Sequence, residues 1–305
     1  MSAIKKRHSH IAYVFRAFIR RMLYIFITKN RIFTRIRLFG LLSVMFFKEL
    51  LIGCFPESQQ KKGRFFGFRM QFPSYSIFCS LFETIFLRCD YEFKCSKESP
   101  LILDCGSHIG MSIVWFKWKY PKAHIIAFEP DAVTFNYLSN NVKENNLTNI
   151  DLHQKAVWSR DEQRVLRSDM GDPSSLGMSL FKRLYEKDNV RVDEIMVDCV
   201  ELSKYIDAPV DILKLNIEGA EYEILSALYK NGKLGCISEM LIKYHYNESS
   251  PENSLSEILR ILEASGFRYV IDSQSLKLPY PLYRKRHYFK LSIYAYLPSD
   301  VHKEH

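Results

Sequence analysis

From Leu101 onward the chain alternates short apolar runs with amphipathic stretches of helical period, and this pattern most limits what it can fold into. "LILD" (101–104) reads as a strand, followed by a helix starting at Met111. "HIIAF" (124–128) is a second strand, Ala132 to Asn145 a second helix, and "IDLHQKAV" (150–157) a third strand. After a polar insertion, loosest at "GDPSSLGMS" (171–179), "DEIMVDCV" (193–200) reads as an extra strand. Then come a strand over 211–216, a helix from 220, a strand over 237–246, a helix from Leu255 to Ala264, and "FRYVID" (267–272). "YFKLSIYAYL" (288–297) alternates as an edge strand does. Strand–helix alternation of this kind makes an α/β fold with helices on both faces of a mostly parallel sheet. The expectation is a Rossmann-like, doubly wound sheet of about seven strands, closed by an antiparallel hairpin.

In such a sheet ligands lie beyond the carboxyl ends of the strands, beside the point where strand order reverses. "DCGSHIG" (104–110) falls there. A dinucleotide fingerprint needs a glycine where this chain has His108, so a pyrophosphate is obstructed and a dehydrogenase is disfavoured. S-adenosylmethionine carries no phosphate. It needs a tight turn under its amino-acid end, supplied by Gly106 and Gly110, with Asp104 near its amino group or water shell. It also needs an acid at the end of the second strand, because a carboxylate accepts both ribose hydroxyls. "FEPD" supplies Glu129, 23 residues after Gly106.

Together "LILDCGSHIGMS", "IIAFEPD", "NNVKENNL" and "DILKLNIEGAEYEIL" resemble the FkbM family of S-adenosylmethionine-dependent methyltransferases, over roughly residues 75 to 297. The resemblance implies a class I methyltransferase fold and O-methylation of a hydroxyl on a sugar, glycolipid or secondary metabolite. It implies cofactor contacts from Asp104, Gly106, Ser107, Gly110, Glu129 and Asp131, with adenine near Ala156 and Val157. Asn216, Glu218 and Glu221 are expected around the methyl-transfer site. The chain departs from the family in two places. Asn216 stands where "KIDVEGAE" has an Asp, and Lys243-Tyr244-His245 stands where Glu-x-His is common. Both changes remove negative charge, and no metal site is expected, because an amide is a weaker ligand than a carboxylate for hard cations.

Methyl transfer requires alignment of the acceptor and removal of one proton. His245 is the candidate base, titrating near neutral pH at a strand end, with a structural hydrogen bond as its alternative. Glu218 either orients the acceptor or caps the helix starting near Ala220. Glu221 and Glu223 read as first-turn helix acids. Lys243 would balance an acidic acceptor, and Lys214 is expected to snorkel to the sheet end. The loop "YRKRHYFK" (283–290) reads as a solvated hairpin tip, with contact to an anionic acceptor as its alternative, and 171–179 as a lid over the acceptor. Competing functions are methylation of a carboxylate or amine, and a cofactor-binding module without catalysis.

Charge is distributed unevenly. Residues 1–55 hold 11 of the 43 basic residues and 1 of the 34 acidic ones, Glu49, while the rest of the chain is near neutral. A nucleic-acid-binding body is therefore not expected. From Ile11 to Phe26 the apolar residues have helical spacing, and Leu38 to Phe55 is more apolar still. Lys48 and Glu49 interrupt the second stretch, and Arg16, Arg20 and Arg21 interrupt the first, which argues against a membrane span or a secretory signal. The extension is expected as residues 1–74 and the methyltransferase domain as 75–300. The extension's helices either pack on protein or form an amphipathic anchor for anionic lipid, giving a peripheral membrane contact. The seven scattered cysteines form no CxxC pair and read as free thiols of a cytoplasmic protein.

Overall fold

Helix α1 (Ser2–Ile27) packs against α2 (Ile32–Cys54), burying Val14, Ala17 and Ile25 of one and Leu38, Leu42 and Met45 of the other. The computed structural model describes residues 2–27, 32–54, 61–169, 178–181, 192–247, 254–272 and 288–298. The chain divides into two compact units, Met1–Glu92 with Asn140–Asn146, and Phe93–Ser139 with Leu147–His305.

In the first unit, Arg21 is buried and ion-paired to Glu49 at 2.6 Å and Glu83 at 3.0 Å. Burial opposes its charge, yet the two carboxylates outweigh that and make the guanidinium more basic than usual. Strands β1 (Lys62–Phe65) and β2 (Phe68–Gln71) form an antiparallel hairpin whose turn residues, Phe66 and Gly67, both have positive φ. Positive φ at both central positions matches the right-handed twist of the flanking strands. Helix α3 (Tyr75–Phe82) starts at Ser74, whose Oγ accepts from the Ile77 N–H, and continues as a π-helical turn over Glu83–Leu87. Phe65 sits among the rings of Phe78, Phe82 and Phe86, which form an aromatic core for this unit.

The second unit is built on β3 (Leu101–Cys105), α4 (Met111–Lys119), β4 (His124–Phe128), the part of α5 (Ala132–Glu144) that precedes Asn140, and β5 (Ile150–His153). It continues through β6 (Ala156–Trp158), β7 (Glu162–Asp169), β8 (Val192–Glu201), β9 (Val210–Leu215), α6 (Glu221–Lys230) and β10 (Ile237–Asn247). Helix α7 (Leu255–Ala264) and strands β11 (Arg268–Asp272) and β12 (Tyr288–Tyr296) complete it. Seven strands form one sheet in the order β11-β12-β10-β9-β3-β4-β5. Neighbours from β10 to β5 run parallel, and β12 is antiparallel to both β10 and β11. All six residues of β9 are buried, as expected of a strand covered on both faces.

The structure corrects three expectations. The strand expected over 150–157 is two strands: the chain bends at Gln154 and Lys155, so β5 joins the main sheet and β6 joins a separate three-stranded sheet ordered β6-β8-β7. Residues 162–169, read as part of a polar insertion, form β7. Its charged side chains are held by the Arg164–Glu162 and Arg167–Glu194 pairs and by Arg164 lying 4.0 Å above the Trp158 ring. Strand β12 is not an edge strand but lies between β10 and β11, with Ile293 and Ala295 buried.

Candidate functional site

Strand β3 is flanked by β4 on one side and β9 on the other, so the order of the chain reverses between β3 and β9. A crevice at such a reversal lies outside the carboxyl ends of the two strands. The chain leaves β3 through Gly106 (φ 83), His108 (φ 51) and Gly110 (φ 84). The N–H groups of Gly106 and Ser107 both donate to the Phe128 carbonyl at 3.0 Å, and Ser107 Oγ turns inward to the Asp104 carbonyl. A Cβ at Gly106 would lie 2.1 Å from the Asn216 carbonyl oxygen, so no side chain fits there. Gly110 provides the left-handed N-cap of α4.

Asp104 is fully buried below this turn. Its Oδ1 lies 2.8 Å from Lys214 Nζ, and its Oδ2 accepts from Ser112 Oγ at 2.6 Å. Asp104 and Lys214 are register partners across β3 and β9. Lys214 also donates to the carbonyls of Cys105 and Gly106. The expectation that Lys214 snorkels is corrected: its ammonium is internal, because a carboxylate and two carbonyls replace the water it gives up. The Asp104 carboxylate correspondingly serves the floor of the turn.

Glu129 follows β4, and backbone holds both of its oxygens. Oε2 accepts from the His108 N–H at 2.9 Å and Oε1 from the Asp131 N–H at 3.1 Å. Burial pushes its pKa up to about 7, against the opposing effect of those two N–H groups. Asp131 accepts from the Thr134 N–H at 2.7 Å and caps α5. Ala156 and Val157 are buried in two packed apolar clusters.

On the other side of the crevice, β9 ends at Leu215 and Asn216 donates its N–H to the Cys105 carbonyl. Glu218 and Gly219 both have positive φ, at 53 and 112, before α6 begins at Glu221. A non-glycine residue held there stores strain of a kind that clusters at functional sites. His245, on β10, is buried between two carboxylates. Its Nδ1 is 2.9 Å from Glu221 Oε1 and its Nε2 is 3.2 Å from Glu218 Oε1. Burial disfavours the imidazolium, but Glu218 and Glu221 outweigh it and raise the pKa to about 9. Glu221 also accepts from the Gly219 N–H, joining the loop to the histidine. Lys243 is buried two residues before His245 and donates to Ser292 Oγ of β12 at 2.7 Å. Glu223 accepts from Ser159 Oγ instead of joining this group.

The structure thus brings Gly106, Ser107, Gly110 and Glu129 together at one lip and Asn216, Glu218, Glu221 and His245 at the other. Ser179 was not singled out from sequence, yet its Oγ donates to the Glu218 carbonyl at 2.7 Å and its backbone bridges Arg167. It belongs to the expected lid, of which 171–177 lie outside the described residues. Arg284, Lys285 and Arg286 of the basic loop also lie outside them. Among the described residues no group of three or more His, Cys, Asp and Glu is arranged to hold a metal ion.

A parallel sheet with a reversal at β3/β9 and an antiparallel strand inserted between its last two members is the class I methyltransferase fold. Within that class, residues 104–269 match the family described as Methyltransferase FkbM domain, and the chain belongs to that family. The chain is similar to Methyltransferase 1 of Beauveria bassiana (strain ARSEF 2860), at 26% identity over 162 residues, covering 48% of this chain and 65% of that one. It is similar to Methyltransferase sdnD of Sordaria araneosa, at 28% identity over 176 residues, covering 48% of this chain and 68% of that one. The chain therefore spans about two thirds of the length of the curated relatives it matches. Among solved structures, Methyltransferase FkbM from Methylobacillus flagellatus KT aligns with a TM-score of 0.44 and 15% identity, covering 94% of this chain and 60% of that one.

The cofactor this family implies is S-adenosylmethionine, and the residues present fit it. The turn at Gly106 is closed to side chains, and Glu129 is an acid at a strand end whose charge needs further donors to be comfortable. A vicinal diol supplies two such donors.

Proposed function

We infer that this protein is an S-adenosylmethionine-dependent methyltransferase acting on a hydroxyl of a sugar, glycolipid or secondary metabolite. The observation that carries the reading is Glu129, a buried carboxylate oriented by the N–H groups of His108 and Asp131 beside the Gly106 turn. When bound, the cofactor supplies an electrophilic methyl group. The chain's own task is to hold the acceptor in line and to take up its proton.

Glu218 is the residue we assign to the proton. It sits on a strained loop at the crevice, whereas His245 has a carboxylate at each ring nitrogen and is protonated at neutral pH. His245 then acts as a positioning residue that fixes the Glu218 carboxylate. Asn216 and Lys243 favour a second reading, a module that keeps the cofactor without turning it over.

Calorimetric titration of S-adenosylmethionine into the wild type and Glu129→Ala tests the pocket. Micromolar binding lost in the variant supports it, and no binding to the folded wild type overturns it. Formation of S-adenosylhomocysteine with a hydroxylated acceptor would eliminate the non-catalytic reading, and methyl esters or methylamines as the sole products would replace the hydroxyl acceptor.

A further inference from the structure

Helices α1 and α2 carry far more exposed apolar surface than a water-facing hairpin requires. On α1, Phe15, Ile19, Leu23 and Phe26 are exposed at helical spacing. On α2, Ile36, Phe39, Val44, Phe47 and Leu51 are exposed, the last at more than half of its full area. The two stripes are joined by aromatic contact, because Phe46 packs on Phe15 at 5.0 Å and on its neighbour Phe47 at 5.5 Å. Single exposed apolar side chains are ordinary, but a contiguous patch marks an interaction surface.

Charge identifies what covers it. Glu49 is the sole acid of residues 1–55, and it is turned inward onto Arg21, so this segment opposes no carboxylate to an anionic surface. A cavity of about 600 Å³ opens beside the patch, lined by Ile36, Arg37, Gly40 and Leu41 of α2 and by Phe65 to Gly67 of the hairpin. Ile36 lies on both the patch and the cavity wall, so the two are continuous. On the same hairpin, Arg64 and Arg69 are direct cross-strand partners, both exposed. Like charges facing each other across a ladder are destabilising unless an anion lies between them. Neither guanidinium has an acidic partner among the described residues. A second copy of this chain would set one strongly basic segment against another. No described helix is long and apolar enough to cross a membrane, and Arg35, Arg37, Lys48 and Glu49 interrupt α2.

We propose that the first unit is a lipid-docking surface that lies on an anionic phospholipid bilayer, with the α1/α2 patch in the acyl boundary and Arg37, Arg64 and Arg69 on head-group phosphates. Apolar insertion plus basic attraction is the established physics of interfacial helices. Arginines near an anionic leaflet are drawn to it, and arginine suits phosphate because its fork bonds two oxygens at once.

Flotation of the full chain with vesicles tests this, comparing phosphatidylcholine alone with phosphatidylcholine containing phosphatidylserine. The wild type is expected to float with the anionic vesicles only, less so as salt rises. Arg64→Glu/Arg69→Glu should weaken that binding by about tenfold or more, and Phe47→Glu/Leu51→Glu should abolish it. All four positions are exposed, and circular dichroism verifies that the variants fold. Absence of flotation by the wild type overturns the proposal, as does equal binding to neutral vesicles. So does a wild-type dimer that Phe47→Glu/Leu51→Glu dissociates while vesicle binding stays unchanged, since a second copy would then cover the patch.

Discussion

Nε2 of His245 stands 3.2 Å from Glu218 Oε1, on the far side of the ring from Glu221, so one imidazole bridges a strained loop and a helix start. The arrangement separates two roles that the sequence left combined in the histidine. If Glu218 takes the proton, Glu218→Gln should lower kcat by about 100-fold or more while cofactor affinity holds, in the range of general-base losses. His245→Gln should lower kcat less and shift the pH at which activity rises, because a structural histidine alone would leave that profile in place. Parallel kcat and KM measurements across pH check both.

The same pair makes stability depend on pH. His245 has its pKa raised from 6.5 to about 9, so the folded protein holds a proton that the unfolded chain releases. The contribution is fully present below pH 6.5 and is lost as pH rises through about 9. Thermal melts between pH 6.5 and 9 should show a falling Tm, and Glu221→Gln should flatten the slope. An equal slope in both proteins would assign the dependence to other groups.

Glu129 titrates in the opposite sense with respect to charge. Its pKa is raised to about 7, and donors from a ribose favour the ionised form. Below pH 7 a proton must leave before the ligand binds, so S-adenosylmethionine affinity should fall about tenfold per pH unit. Above pH 7 it should level off. Glu129→Gln should bind weakly and without this dependence, and calorimetry at pH 5.5, 6.5 and 7.5 (about one unit apart) distinguishes the two.

Much of this was legible because local pattern and tertiary role coincide. "LILDCGSHIG" and "HIIAFEP" announce buried strands ending in a glycine turn and an acid, and β3, β4, Gly106 and Glu129 stand accordingly. The seven-stranded α/β sheet followed from the alternation. Strand β7, "EQRVLRSD", was illegible because ion pairs and the Trp158 ring hold it where an apolar stripe would be expected. Alternation showed that residues 288–297 form a strand but not which neighbours it takes, so its place inside the sheet stayed hidden. Lys214 looked like a snorkelling lysine because its partner Asp104 lies on a different strand, far upstream. The carboxylates around His245 come from a separate loop and helix, which spacing alone does not bring together.

The Asp104–Lys214 pair should behave as a buried ion pair. Lys214→Met alone leaves a fully buried carboxylate facing Ser112 only, and should cost about 3–5 kcal/mol. The double variant Asp104→Leu/Lys214→Met removes both charges and should be more stable than either single variant. Urea unfolding of the three proteins measures it. Additive losses in the double variant would mean that the two groups act independently.

Gly106 and Gly110 share a left-handed backbone, yet they should tolerate alanine differently. At Gly110 the new Cβ meets Leu138 Cδ1 at 2.7 Å, the mobile end of a side chain that can rotate away. Gly110→Ala should therefore cost about 1–2 kcal/mol, mostly backbone conformation. At Gly106 the Cβ meets a backbone oxygen at 2.1 Å, and that oxygen belongs to Asn216, the first residue of the opposite lip. Relief requires β3 and β9 to part at their carboxyl ends, where Asn216 N–H bonds Cys105 and Lys214 reaches Gly106. Gly106→Ala should therefore unfold the domain or eliminate cofactor binding, while Gly110→Ala stays folded and binds more weakly. Denaturation midpoints and calorimetry on the two variants make the comparison, and equal midpoints would mean that the turn at Gly106 yields more readily than its contact with Asn216 implies.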